Sequence, residues 1–129
     1  MLILDSRLRG NDREVSFVIQ SILEINKNKM KDIDLSKIKK AHFVGIGGIG
    51  VSAIARMMIG EGKKVSGSDS SSSAIIDELQ KHGAKVFLEH DADNVASDVD
   101  LIVYTPAVDF ENPELKKGKD SGIPCLSYP

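Results

Sequence analysis

Between residues 43 and 52 the chain reads FVGIGGIGVS, and the glycines at 45, 47, 48 and 50 are residues whose type and spacing bear on chemistry. Gly45-Ile46-Gly47-Gly48-Ile49-Gly50 satisfies G-x-G-x-x-G. At a strand-to-helix junction the first glycine allows a tight turn, the second lets backbone approach a phosphate, and the third lets helix and strand pack closely. Free amides at the helix start and the positive end of its dipole then favour an anion. The chemistry implied is recognition: a phosphate held by main-chain N–H groups.

A second anchor is Asp69, roughly twenty residues beyond the motif, where an acidic side chain at a strand end can accept from a ribose hydroxyl. The competing reading is that Asp69 or a following serine caps the next helix. An NAD-binding domain of an oxidoreductase would use the same glycines and the same Asp69, so the motif alone leaves the kind of phosphate open. Gly60-Glu61-Gly62-Lys63-Lys64 imitates a P-loop but fails: position 57 is Met, position 64 is Lys, and a strand follows instead of a helix. His42, His82 and His90 lie on different elements without the spacing that puts two ligands on one face, which leaves no metal site to assign. Cys125, the single cysteine, sits in IPCLSY and reads as a small apolar residue.

Positioning these groups requires a regular scaffold, and the pattern from Ile38 onward supplies one. Lys40–Ile46 is a short apolar run suited to a strand buried on both faces, and Ile49–Gly60 is suited to a helix. Lys64–Ser68 reads as a second strand. Ala74–His82 carries Ile75, Ile76 and Leu79 on one stripe and reads as a helix closed by Gly83. Lys85–Leu88 is a third strand, Asp91–Ala96 a single helical turn, and Asp100–Tyr104 a fourth strand. Asn112 and Pro113 read as cap and first position of a helix to about Asp120, and Pro124–Ser127 begins a fifth strand. Alternation of this kind predicts an α/β fold, a single-domain doubly wound parallel sheet of Rossmann type.

The 129 residues are 41% hydrophobic and 28% charged, with a formal net charge of -2, which fits one globular domain and gives no field for nucleic acid or an anionic membrane. Residues 1–37 are patterned irregularly and read as an extension. Val15 to Asn26 is either a short amphipathic helix or a floppy segment, and it is too short to span a bilayer. Without a secretory pattern the expected location is the cytoplasm.

HFVGIGGIGVSAIA, VSGSD, GAKVFLEH, VYTPAV, NPEL and GIP follow one another in this order. The ordered set resembles the N-terminal domain of the UDP-N-acetylmuramate–L-alanine ligases of the Mur ligase family, from about Ile38 to Tyr128. The resemblance implies a Rossmann-like domain that binds UDP-N-acetylmuramate in peptidoglycan biosynthesis. Gly47 to Gly50, Ile49 included, would receive the pyrophosphate beyond the Gly45 turn. Ser68 and Asp69, in GSD, would lie beside the nucleoside, while His90 and Thr105-Pro106-Ala107 would line the crevice. His90 has a plain alternative as a solvent-facing loop histidine. Thr105-Pro106-Ala107 gains support from its place at a strand's carboxyl end. A sister ligase that attaches a tripeptide to the same sugar has a similar first domain; GIGGIG and VYTPAV favour the L-alanine enzyme. Two departures stand out: Val51 where the family usually has Met, and a start well upstream of the usual one, near Met30. Family members use ATP, Mg²⁺ and L-alanine through further domains, so the resemblance implies no cofactor, metal or catalytic residue within residues 38–129.

Overall fold

The computed structural model describes residues 34–128; the segment expected as a helix or extension between Val15 and Asn26 lies outside them. Five strands form one parallel sheet in the order β3-β2-β1-β4-β5: β1 Lys40–Val44, β2 Lys64–Ser68, β3 Lys85–Phe87, β4 Leu101–Tyr104 and β5 Cys125–Ser127. Three α-helices connect them, α1 Ile49–Gly60, α2 Ala74–Lys81 and α3 Pro113–Asp120, with 3₁₀ turns at Leu35–Lys37 and Ala92–Asn94. The strand order turns outward from β1 in both directions, which makes the gap between β1 and β4 the topological switch point of a Rossmann-type sheet.

Alternation along β1 explains how the two faces are filled. Ala41 and Phe43 point into the larger core with Ile54, Ala55, Met57 and Met58 of α1 and with Ile76 and Leu79 of α2. Val44 points the other way and packs with Ile102, Val95, Val99 and Leu115 of α3. His42 shares the β1 parity of Val44 and is completely buried, as are Glu114 of α3 and Ser68 of β2. The face under α3 therefore holds a polar stripe beside an apolar cluster.

The predicted elements agree with the observed ones, with ends moved by a residue or two. The first strand stops at Val44 instead of Ile46 because Gly45 has φ +81°, a left-handed conformation that ends the strand. The Gly45 and Ile46 amides both donate to the Ser68 carbonyl, at 2.8 and 2.9 Å, and hold the turn against the end of β2. Cys125 is half-buried, and burial pushes its thiol pKa up.

Helix ends are treated unequally. Ser73 caps α2 by accepting from the Ile76 N–H, and Asn112 caps α3, its Oδ1 accepting from the Glu114 N–H at 2.9 Å with Pro113 at the first turn. The α1 N-cap is Gly48, which has no side chain to accept anything. Because the Asn112 cap also sets the start of the helix that carries Glu114, Asn112→Ala should destabilise the protein by about 1 kcal/mol, and Asn112→Ser should recover most of it. Urea unfolding midpoints of the two variants measure the difference.

Candidate functional site

The glycine motif occupies the turn between β1 and α1, past the carboxyl end of β1. Its three spaced glycines have distinct neighbours. A side chain at Gly45 would strike the Thr105 methyl, so this glycine seats the β1 turn against the residue that follows β4. At Gly47 a Cβ would lie 2.8 Å from Asp69 Oδ2 and 3.3 Å from the Ile76 methyl. At Gly50 it would enter the ring of Tyr128, which lies just beyond β5. The third glycine thus permits close packing of helix on strand, as the motif requires, with Tyr128 as the partner.

Asp69 serves the turn directly. Its Oδ2 accepts the Gly47 N–H at 2.8 Å, and its Oδ1 accepts the Ser71 N–H at 3.2 Å. Ser73, not Asp69, caps α2. The Gly48 N–H goes to the Gly45 carbonyl at 3.0 Å, and the Ser52 N–H returns to Gly48 O at 2.8 Å. Between them the Ile49, Gly50 and Val51 amides find no acceptor among the described residues. Three unpaired N–H groups at an uncapped helix start form a concentrated patch of positive potential. Ile49, the first residue of α1, is 85% exposed, and Leu88 and Phe110, in the segments after β3 and β4, are also exposed. Open parallel sheets bind ligands at this carboxyl edge.

Thr105, Pro106 and Ala107 form a tight turn on the same edge. The Thr105 N–H reaches the Val44 carbonyl at 3.3 Å, and the Val108 N–H closes on the Thr105 carbonyl at 3.0 Å. Pro106 and Ala107 are exposed. Ser68, which ends β2, is fully buried and joins His90: Ser68 Oγ lies 2.8 Å from His90 Nδ1. His90 is tethered, with 26% of its side chain exposed.

Glu114 was not among the residues singled out from sequence, and it is the centre of the polar cluster. Its Oε1 contacts His42 Nε2 and accepts from Ser68 Oγ at 2.9 Å. Its Oε2 faces His90 Nδ1 at 3.3 Å and accepts the Asp91 N–H and the Asn94 side-chain amide, each at 3.2 Å. His42 Nδ1 continues the chain to Ser66 Oγ at 2.8 Å. Burial works against the charged carboxylate, but the His42 contact, with help from Ser68 and Asn94, outweighs it and holds the Glu114 pKa below the ordinary glutamate value. Two histidines that lie far apart in sequence thus meet on one carboxylate. The signal available in sequence was His42, a polar residue inside a strand whose pattern demands burial on both faces; Glu114 itself looked like an ordinary acidic residue in a first helical turn.

Among the described residues, no group of three or more His, Cys, Asp or Glu side chains is arranged to hold a metal ion. No helix among them is long and apolar enough to cross a membrane.

Residues 40–129 match the sequence pattern described as Mur ligase family, catalytic domain. The chain belongs to the Mur ligase family. Over 93 residues this Mur ligase chain is 48% identical to a UDP-N-acetylmuramate–L-alanine ligase of Clostridium kluyveri, covering 72% of the chain and 20% of that protein. A ligase of the same description from Campylobacter jejuni is 49% identical over 90 residues, covering 70% of the chain and 21% of the relative. The chain spans about a fifth of the length of these curated relatives. The crystal structure of UDP-N-acetylmuramate-alanine ligase from Thermotoga maritima superposes with a TM-score of 0.65 at 41% identity, covering 68% of this chain and 20% of that one. D-lactate dehydrogenase from Escherichia coli, at 18% identity and a TM-score of 0.53 over 91% of this chain and 40% of that one, shares the fold alone.

The Glu114 geometry sets an acid limit to stability. A carboxyl whose folded pKa is depressed stabilises the fold fully above its unfolded pKa, near 4.5, and loses that contribution as pH falls through the lower folded value. Below about pH 4.5 the wild type should therefore lose stability progressively, and Glu114→Gln should show a flatter acid limb. At neutral pH Glu114→Ala should cost on the order of 3 kcal/mol, because His42 is left buried without its partner. Urea unfolding at a series of pH values checks both expectations.

Proposed function

We propose that this chain is the substrate-binding domain of a UDP-N-acetylmuramate–L-alanine ligase and that it holds UDP-N-acetylmuramate at the carboxyl edge of its sheet. The observation that carries the reading is the uncapped start of α1, with the Ile49, Gly50 and Val51 amides unpaired, in a chain 48% identical to a ligase of that description. A doubly charged diphosphate is the natural occupant of such a cluster of N–H groups. The Gly47 and Gly48 amides are already engaged within the turn, so these two glycines shape the cradle, and the next three residues donate to the ligand.

Asp69 fits the nucleoside side of the crevice, and His90 lines the crevice beside Ser68. The Asp69 carboxylate would repel a diphosphate placed against it, yet each of its oxygens keeps a lone pair for a hydroxyl donor after accepting one N–H. Thr105-Pro106-Ala107 walls the crevice at the switch point between β1 and β4. In the whole enzyme, ATP-dependent addition of L-alanine to the bound sugar nucleotide would take place with Mg²⁺, in peptidoglycan biosynthesis. The residues described here would bind and orient the UDP-sugar for that reaction and would not form the new amide bond. Such an enzyme works in the cytoplasm, where its nucleotide substrates are found.

Calorimetric titration distinguishes this reading from a nicotinamide-binding domain. The protein should release or absorb heat with UDP-N-acetylmuramate and none with NADH; the opposite result would refute the proposal. Gly47→Val, which pushes a side chain into Asp69 and Ile76, should weaken UDP-sugar binding by about a hundredfold, two decades at ~1.4 kcal/mol each, without changing the fold class seen by circular dichroism.

A further inference from the structure

The contacts of Glu114 determine which ring nitrogen of His90 carries a hydrogen. An ionised carboxylate only accepts hydrogen bonds. Ser68 Oγ has a single hydrogen and lies 2.9 Å from Glu114 Oε1, so that hydrogen points to Glu114. With its hydrogen engaged, Ser68 Oγ can only accept across the 2.8 Å contact with His90 Nδ1. The 3.3 Å approach of His90 Nδ1 to Glu114 Oε2 imposes the same requirement. Both contacts place a hydrogen on Nδ1. A neutral imidazole has one N–H, so Nε2 is left with a lone pair. The inward edge of the ring is the Nδ1 edge, the side chain is 26% exposed, and Nε2 has no partner among the described residues.

We propose that Glu114 is a positioning residue that, directly and through Ser68, locks His90 in the Nδ1–H tautomer, so that His90 Nε2 offers an acceptor to an N–H or O–H group of the ligand. The ligand half of this inference rests on the UDP-sugar reading; the tautomer half does not. An isolated histidine favours the hydrogen on Nε2, and in that form His90 would offer a donor and select for phosphate or carbonyl oxygen. Glu114 reverses the preference. It does so from α3, fully buried against the Nδ1 edge of the ring, which makes it a specificity determinant without ligand contact. The polar groups facing His90 come from β2 (Ser68) and α3 (Glu114), and the neighbouring Asn94 side chain shares Glu114 Oε2.

Ring-nitrogen NMR on the ¹⁵N-labelled 129-residue protein at about pH 8, above the ordinary histidine range, tests the lock. His90 should show a protonated Nδ1 and an unprotonated Nε2. Glu114→Gln introduces an amide donor and should shift His90 toward the Nε2–H form. Ser68→Ala removes the nearer of the two acceptors at Nδ1 and leaves Glu114 Oε2 at 3.3 Å, so it should shift His90 part of the way toward the mixture of a free imidazole, and it serves if the glutamine variant does not fold. A wild-type His90 with its hydrogen on Nε2, or a tautomer unmoved in either folded variant, would overturn the proposal. Titration with UDP-N-acetylmuramate should move the wild-type His90 Nε2 resonance toward that of a hydrogen-bonded acceptor, and a folded variant with the altered tautomer should bind about tenfold more weakly, the loss expected for one hydrogen bond. Binding that leaves this resonance unmoved would overturn the ligand half. No binding by the wild type, with the tautomers as expected, would refute the UDP-sugar reading and leave the lock standing.

Discussion

A carboxylate withdrawn from water must be given donors, and Glu114 obtains them from three separate segments of the chain besides its own helix. His42 approaches from β1, Ser68 from β2, and His90, Asp91 and Asn94 from the segment that follows β3. These contacts pull α3 onto the sheet at the place where β1 and β2 lie side by side. They also fix the loop from 90 to 94, which has little apolar surface of its own to anchor it. Because a hydrogen bond is directional and a methyl contact is not, this cluster specifies the register of α3 in a way that Leu115 and Ile102 alone would not.

The same strand ends hold the glycine turn. Ser68 gives its side chain to Glu114 and its carbonyl to the Gly45 and Ile46 amides, so one residue links the buried polar cluster to the glycine loop. Asp69, the next residue, takes the Gly47 amide. The loop is thereby held open from behind, and the amides it leaves unpaired belong to the first turn of α1. Preorganisation of this sort lowers the cost of ordering a loop around a ligand, which is where much of the affinity of a small binding site is lost.

Capping shows where stability has been left out of the fold. α2 and α3 each begin with a side chain that accepts an orphan N–H, whereas α1 begins with Gly48 and has no such acceptor. An Asp or Ser at that position would stabilise the isolated helix and would also compete with an anion for the same amides. A side-chain cap and an anion would draw on the same N–H groups, and Gly48 supplies no side chain to compete.

Much of this is legible along the chain itself. Strand and helix order, the parallel sheet, the Asn112 cap and the turn at Gly45 follow from periodicity and from residue types whose backbone preferences are local. The family pattern read from GIGGIG, GSD and VYTPAV agrees with the match over residues 40–129. Asp69 reads along the chain as an acceptor for a ribose hydroxyl, and the fold adds that its two oxygens accept the Gly47 and Ser71 amides. The union of His42, Ser68, His90 and Glu114 is not legible there, since 72 positions separate His42 from Glu114 and no local rule relates them. Local preferences are set by near neighbours and can be read along the chain. A buried charge is satisfied by whatever the folded sheet brings within about 3 Å of it, and only the tertiary structure decides which residues those are.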